Sequence, residues 1–178
     1  RSSNVMRGQV VPSKKTLLLQ GRFITGTVST ALCYLVMIQV MVATPMAMTK
    51  IYHFGLGSVA LAMQLHFLGM FGTSIVTGRL MRSLGPKLMI VIGSVIYLCC
   101  TAVICSGVSS IHFYIGLLLL GIGWNFVFIA GTHLVVKSYH KEGRDFLQGV
   151  NNVITFTLGT LGALIAGPIL FHWGWVEL

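Results

Sequence analysis

Long apolar stretches separated by short polar segments dominate this chain. Five stretches reach the roughly 20 residues that a helix needs to cross the hydrocarbon core of a bilayer: 23–48, 57–81, 88–107, 111–136 and 147–172. Apolar and polar positions do not alternate within them, as they would in the strands of a membrane barrel. The pattern predicts an all-α membrane protein with five transmembrane helices over residues 23–178, preceded by a basic N-terminal tail over residues 1–22. The short connections predict antiparallel neighbours.

The charged residues are few and lie mainly on one predicted side. They make up 8% of the 178 residues, and 12 Lys and Arg against 3 Asp and Glu give a net charge of +9, whereas soluble domains carry about 25% charged residues. Eleven of the twelve basic residues fall in the tail and in the second and fourth connections, and only Lys50 falls in the first. The positive-inside rule places these segments and the N-terminus in the cytoplasm or mitochondrial matrix, with the C-terminus opposite.

The one-sided distribution of basic residues also indicates in which membrane the chain lies and what surrounds it. A bacterial inner membrane or a mitochondrial inner membrane fits the predicted topology, and we expect lipid rather than nucleic acid around the chain. Trp173 and Trp175, with His172, are predicted to mark the outer membrane interface, where aromatic residues collect.

Several chemistries are absent from the sequence. The four cysteines lie within apolar stretches, which argues against the disulfide framework of a secreted domain; they are Cys33, Cys99, Cys100 and Cys105. No phosphate-binding loop of the Walker type occurs, and the three acids lie outside the spans or at their ends. We therefore expect a protein that is not an enzyme and requires no cofactor.

Two pairs of soft ligands lie inside the first two spans, Met37 with Met41 and His66 with Met70. Residues four apart share one face of a helix, so each pair can present two donor atoms to one point. Thioether sulfur and imidazole favour Cu(I) over Mg²⁺ or Ca²⁺. Ligand groups at this depth are functional hypotheses by default. Three further candidates are Cys33, Met63 and His133.

Each of these residues also has a structural interpretation. Met37 and Met41 can fill gaps in a packed core, because methionine is flexible and the chain has 9 of them. His66 can make an interhelical hydrogen bond, worth about 0.6 kcal/mol on average. His133 and Asn125 lie in the glycine-rich fourth span, where we expect a tightly packed helix with satisfied polar groups. The alternative for His133 is a second cation station or a proton relay.

The second connection carries a recognisable motif, Gly78-Arg79-Leu80-Met81-Arg82-Ser83-Leu84-Gly85-Pro86-Lys87. It resembles the loop motif of the major facilitator superfamily. The resemblance implies that Gly78 permits close helix packing, that Gly85 allows a tight turn, and that Arg82 and Lys87 hold the cytoplasmic side. Arg82 stands where the family has an Asp. The gating ion pair that the family forms with that Asp is therefore not expected here.

Other segments extend this resemblance over the whole chain. Ala43–Met48, His66–Phe71 and Gly121–Phe126 resemble helices seven, eight and ten of one bacterial branch, and Gln148–Asn152 resembles the start of helix eleven. The chain would then be a C-terminal half-bundle lacking one helix. Within that branch, the two soft-ligand pairs are similar to those of the copper importers of cytochrome oxidase biogenesis. The resemblance implies Cu(I) as substrate, carried by Met37, Met41, His66 and Met70.

Three functions remain open from the sequence. The first is a facilitator-type transporter, or half of one, that moves copper and pairs with another membrane chain such as an N-terminal half. The second is a structural or assembly subunit of a larger respiratory complex, because five helices cannot form the inverted three-plus-three repeat of a transporter half. The third is a facilitator for a small organic solute, because the spans contain few charged groups.

Overall fold

A computed structural model gives the fold and describes residues 14–138, 143–175 and 177. Its helices are α1 (Lys14–Leu18), α2 (Gly21–Met46), α3 (Leu56–Gly72), α4 (Ser74–Ser106), α5 (Ser110–Lys137) and α6 (Arg144–Trp173). A π-helical segment, Ala47–Ile51, extends α2. No strand occurs in these residues. The predicted all-α fold is confirmed.

Four helical segments are long and apolar enough to cross a membrane, Gly21–Ile51, α4, α5 and α6, and α3 is a shorter apolar helix. Thr73, between α3 and α4, keeps helical dihedral angles of φ −70° and ψ −21°. The predicted second span, 57–81, therefore corresponds to α3 and the start of α4. Gly85, with φ 76° and ψ 164°, interrupts α4 and separates that span from the third.

The predicted N-terminal tail is partly helical. Residues 1–13 lie outside the described part of the chain, whereas residues 14–18 form α1 and α2 already begins at Gly21. Leu17 of α1 is 4% exposed and packs with Phe23, Val135 and Leu147. An apolar residue in the tail therefore anchors it to the ends of α2, α5 and α6 by hydrophobic burial.

Helix α5 is the centre of the bundle. It packs on α2, α3 and α4, while α6 packs mainly on α2, and α2 and α3 make few direct contacts. Glycines allow the close crossings: a side chain on Gly121 would meet the backbone of α3, and one on Gly131 would meet the backbone of α2. Small residues at such crossings let helix backbones approach closely in a membrane. The tight packing predicted for the glycine-rich fourth span is confirmed.

The two C-terminal tryptophans differ in their surroundings. Trp173 is 70% exposed at the end of α6, but Trp175 is 5% exposed and its ring centroid lies 5.1 Å from that of Phe113. Trp175 is therefore a core residue just beyond the end of α6, and the membrane interface expected at this end stays a prediction. The Trp175 ring completes the core cluster that caps this end of the bundle, together with Ala43, Leu117 and Leu170.

Candidate functional site

His66 is fully buried where α3 crosses α5. Its Nδ1 lies 3.1 Å from the carbonyl oxygen of Leu117. A carbonyl oxygen can only accept, so in the neutral ring Nδ1 carries the proton and Nε2 keeps its lone pair. Nε2 is buried and has no hydrogen-bond partner. The helix crossing therefore fixes the tautomer and leaves one nitrogen free to bind a ligand.

The methionine partners lie on two helices that both pack on α5. Met37 on α2 and Met70 on α3 are buried, and Met41 is half-buried. One core cluster contains Ala43 of α2 and Leu117 of α5, and Met63 of α3 packs against it. The two soft-ligand pairs thus lie on helices that reach the same part of α5. Among the described residues, no hydrogen bond joins His66 to either methionine of α2.

The other candidate ligands lie elsewhere. The Cys33 thiol is buried and donates to the carbonyl oxygen of Thr30 at 3.3 Å. Met63 is half-buried beside the core cluster, and His133 is half-buried one turn from Lys137, where α5 ends. Within residues 14–138, 143–175 and 177, no three His, Cys, Asp or Glu side chains converge on one point.

In the loop motif, one glycine has an unusual backbone conformation, and several other residues are exposed. Gly85 has a positive φ of 76° where α4 is interrupted, a conformation that favours glycine. A side chain on Gly78 would meet nothing within 4 Å, so within this bundle Gly78 is not a close-packing position. Arg82 and Lys87 are exposed, as expected for residues at a membrane surface.

Asn125 is buried and fully hydrogen-bonded, as the sequence predicted. Its amide nitrogen donates to the carbonyl oxygen of Met70 and to the hydroxyl of Ser74, both at 2.7 Å. Its amide oxygen accepts from the Thr77 hydroxyl at 2.6 Å. These bonds tie α5 to the junction between α3 and α4, where the short interruption at Thr73 would otherwise weaken the helix.

A second polar network was missed by the sequence analysis. The Thr30 hydroxyl on α2 lies 3.1 Å from the Asn151 amide oxygen and 3.4 Å from the Thr155 hydroxyl, both on α6. All three residues are buried. The relevant signal was the spacing of Asn151 and Thr155, which are four residues apart and share a helix face. The sequence does not show which helix packs against that face.

Four aromatic rings from three helices form a row, which the sequence analysis also missed. Trp124 and Phe128 on α5 stack with ring centroids 4.7 Å apart and planes at 15°. Tyr34 on α2 lies 6.2 Å from Phe128 and meets Phe156 on α6 edge-on at 5.6 Å. Phe156 is 55% exposed, and the other three rings are half-buried. We call these four residues the aromatic row.

The Trp124 indole adds a polar group to this row. Its Nε1 is buried and has no hydrogen-bond partner. Indole Nε1–H can only donate, and buried donors normally find an acceptor. The aromatic row therefore combines flat apolar rings with one donor that lacks an acceptor, which suits a flat ligand with a polar edge.

Comparison with known proteins places the chain in a family. The family model of the Major Facilitator Superfamily matches residues 21–177. A riboflavin transporter of Brucella anthropi is 33% identical over 159 residues, which is 89% of this chain and 40% of that protein. Two uncharacterised transporters of this type from Bacillus subtilis, YdeG and YddS, are 33% and 32% identical over 92% and 83% of the chain.

These relatives are longer than the chain. It spans 40%, 38% and 34% of their lengths. No solved structure matches the chain. The family match and the arrangement of apolar helices agree on one assignment: the chain belongs to the major facilitator superfamily and forms an all-α half-bundle in a membrane.

Proposed function

We propose that this chain is part of a facilitator-type transporter for a small organic solute with a flat aromatic ring, and that the aromatic row contacts the solute. The supporting observation is the stacked pair of Trp124 and Phe128, extended by Tyr34 and Phe156. Ring pairs of this kind are worth about 0.5–1.5 kcal/mol each beyond area burial.

The charge distribution favours a neutral solute. No Asp or Glu occurs before Glu142, so α2 to α5 contain no acid to pair with a cationic solute. The basic residues of the described helices lie at their ends or beside the Gly85 turn. Unpaired charges within a membrane are costly. The free Nε1–H of Trp124 provides a neutral donor instead.

The similarity to a riboflavin transporter suggests riboflavin as the test ligand for binding experiments. Riboflavin has a flat three-ring system with carbonyl oxygens along one edge, which matches stacked rings and an indole donor. Since the chain covers 40% of that relative, complete transport would require further helices, in the same protein or in a second membrane chain. Solute binding to the aromatic row can be measured without them.

The test is a binding titration. Purified chain in detergent is added to riboflavin, and quenching of flavin fluorescence reports stacking. The variant Trp124→Ala should weaken binding about 2- to 12-fold, which corresponds to 0.5–1.5 kcal/mol. The matched control is Trp173→Ala, because Trp173 is 70% exposed and lies outside the row. Equal affinity for both variants would remove the aromatic row from the proposal.

Copper is the second candidate, because His66 has a feature of metal ligands. Ligating histidines usually donate their other ring nitrogen to a carbonyl or carboxylate, which fixes the ring and frees the ligating nitrogen. His66 donates Nδ1–H to Leu117 and leaves Nε2 free. Met37, Met41 and Met70 would supply soft sulfur to Cu(I), for delivery towards cytochrome oxidase biogenesis.

The copper candidate has its own test. Competition with a chromogenic Cu(I) chelator measures the affinity of the purified chain. Met41→Leu keeps the volume and removes sulfur, and Met81→Leu, at a methionine outside the proposed ligand set, is the matched control. Loss of Cu(I) binding in Met41→Leu and in His66→Phe, but not in the control, supports the candidate. Unchanged binding in all three variants would exclude these ligands.

The basic residues at one end of the bundle indicate how the chain is oriented in the membrane. Arg22, Lys87 and Lys137 come from three different helices and line one cavity. We propose that this basic end faces the cytoplasm or the matrix, in a bacterial or mitochondrial inner membrane. Labelling of single cysteines introduced at exposed positions of this end in intact cells, compared with permeabilised cells, measures the orientation.

A further inference from the structure

Four buried polar side chains meet where α2 packs on α6. Each is at most 6% exposed, and they are Thr27 and Thr30 of α2 and Asn151 and Thr155 of α6. The Thr30 hydroxyl oxygen lies 3.1 Å from the Asn151 amide oxygen and 3.4 Å from the Thr155 hydroxyl oxygen. We call these four residues the oxygen cluster. Its walls belong to two helices of the bundle itself, so its surroundings are part of the structure.

Thr27 lies at the same level of the bundle as Asn151. One turn before them, Phe23 of α2 and Leu147 of α6 belong to one packed core cluster. Since Thr30 also meets Asn151, the two helices run side by side in this register. The Thr27 hydroxyl oxygen is buried and has no hydrogen-bond partner. A buried hydroxyl without a partner is rare and costs stability, so a bound ligand at this position would explain it.

The Thr30 hydroxyl has more acceptors around it than hydrogens to give them. It also lies 3.1 Å from the carbonyl oxygen of Gly26 and 3.0 Å from that of Thr27. One hydroxyl hydrogen can serve only one acceptor well. Threonine within a helix commonly donates to a carbonyl of its own helix, and the lone pairs of Thr30 then face the amide oxygen of Asn151. A cation between these oxygens would remove their repulsion.

The spacing and the charge of the oxygen cluster suit sodium. Oxygens that surround an ion octahedrally at about 2.4 Å, as they do around Ca²⁺, lie roughly 3.4 Å apart. The four oxygens around the Thr30 hydroxyl lie 3.0–3.4 Å from it. Na⁺ has nearly the radius of Ca²⁺, whereas K⁺ is larger and would spread the oxygens. Calcium sites normally include carboxylates, and because all four side chains of the cluster are uncharged, a monovalent ion is favoured.

We propose that the oxygen cluster binds one Na⁺ between α2 and α6. The ion would tie the two helices together one turn before Tyr34, which belongs to the aromatic row. The nearest basic residues along these helices are Arg22 and Arg144, and both are exposed, so water and salt screen their repulsion of the ion. The site does not depend on the identity of the transported solute.

The experiment measures thermal unfolding of the purified chain in detergent, in sodium, potassium or choline chloride at equal ionic strength. A ligand that binds only the folded state raises Tm. A sodium site with a Kd of about 10 mM would raise Tm by roughly 3–6 °C at about 100 mM sodium chloride, compared with choline chloride. Potassium chloride should give a clearly smaller shift. Scintillation proximity with ²²Na⁺ should show a single saturable sodium site on the same sample.

Thr27→Val is the variant that separates sodium binding from a structural role. In choline chloride it should keep or raise Tm, because it removes a buried hydroxyl that has no partner. In sodium chloride it should lose the sodium-dependent shift, and ²²Na⁺ binding should weaken about tenfold or more, as in metal sites that lose a supporting group. The matched control is Thr25→Val, exposed on the same helix, which should keep the full shift.

Three results would overturn the proposal. Equal Tm values in sodium and choline chloride would mean that no ion binds, and that the Asn151 amide is turned so that its nitrogen donates to Thr30. Equal shifts in sodium and potassium chloride would mean a general effect of salt. A full sodium shift in Thr27→Val would mean that the ion binds outside the oxygen cluster.

Discussion

The crossing of α3 and α5 depends on Gly121, and the substitution Gly121→Ala tests it. The new Cβ would lie 2.9 Å from the backbone nitrogen of Met70 and 3.2 Å from the carbonyl carbon of Gly69, and it would be closer still to the carbonyl oxygen of His66. All three neighbours are backbone atoms, so no side chain can swing aside. The two helices must separate, and the bond between His66 and Leu117 must lengthen.

The expected cost follows from these contacts. Overpacking typically destabilises by about 1–3 kcal/mol, and replacing glycine by alanine inside a helix returns about 0.5–1 kcal/mol. The net loss is therefore on the order of 1–2 kcal/mol. Each kcal/mol shifts Tm by roughly 2–4 °C in a chain of this size, so we expect Tm to fall by about 2–8 °C.

The assay is thermal unfolding in detergent, followed by tryptophan fluorescence and circular dichroism. The matched control is Gly149→Ala in α6, where a side chain would meet nothing within 4 Å. The control should keep or raise Tm, because only the helix propensity changes. If Gly121→Ala unfolds at the same temperature as Gly149→Ala, the close crossing of α3 and α5 is not as described.

Three further substitutions test other features by the same thermal assay. Asn125→Leu should cost about 1–3 kcal/mol, because it removes the buried hydrogen bonds of Asn125 to Met70, Ser74 and Thr77. Thr30→Val keeps the shape but removes the hydroxyl that meets Asn151, and should cost about 1–2 kcal/mol. Gly85→Ala should cost about 1–3 kcal/mol, since φ 76° with ψ 164° is a conformation that only glycine adopts readily.

Each has a control of the same chemical type at an exposed position: Asn152→Leu, Thr160→Val and Gly78→Ala. The Asn125 network would be refuted by a Tm equal to that of Asn152→Leu. Likewise, the link between α2 and α6 is unimportant if Thr30→Val behaves like Thr160→Val. Gly85→Ala should lower Tm, whereas Gly78→Ala, with open space around it, should not.

Hydropathy alone predicted most of the fold, because a bilayer demands long apolar helices whatever their neighbours. It predicted the spans to within a few residues, and the loop motif contains Gly85, where α4 is interrupted. It missed the helical part of the tail, since α1 is only five residues long and is held by Leu17. It also did not predict the burial of Trp175 against Phe113, because that is a tertiary contact.

The candidate site was only partly accessible to sequence analysis. Pairs such as His66 and Met70 share a helix, so their spacing is visible in the chain. The aromatic row joins Tyr34, Trp124 and Phe156 from three helices, and no helical period connects them. The same holds for Thr30 and Asn151, which are 121 residues apart. Contacts between helices depend on crossing positions that a single sequence does not show.

Nuclear magnetic resonance of the purified chain, with ¹⁵N in its tryptophan and histidine rings, tests the central claim most directly. Riboflavin should shift the Nε1 resonance of Trp124 and leave that of Trp173 unchanged, because only Trp124 lies in the aromatic row. The contradictory result is an unchanged Trp124 resonance at saturating riboflavin. If Cu(I) then shifts the Nε2 resonance of His66, the second candidate replaces the first.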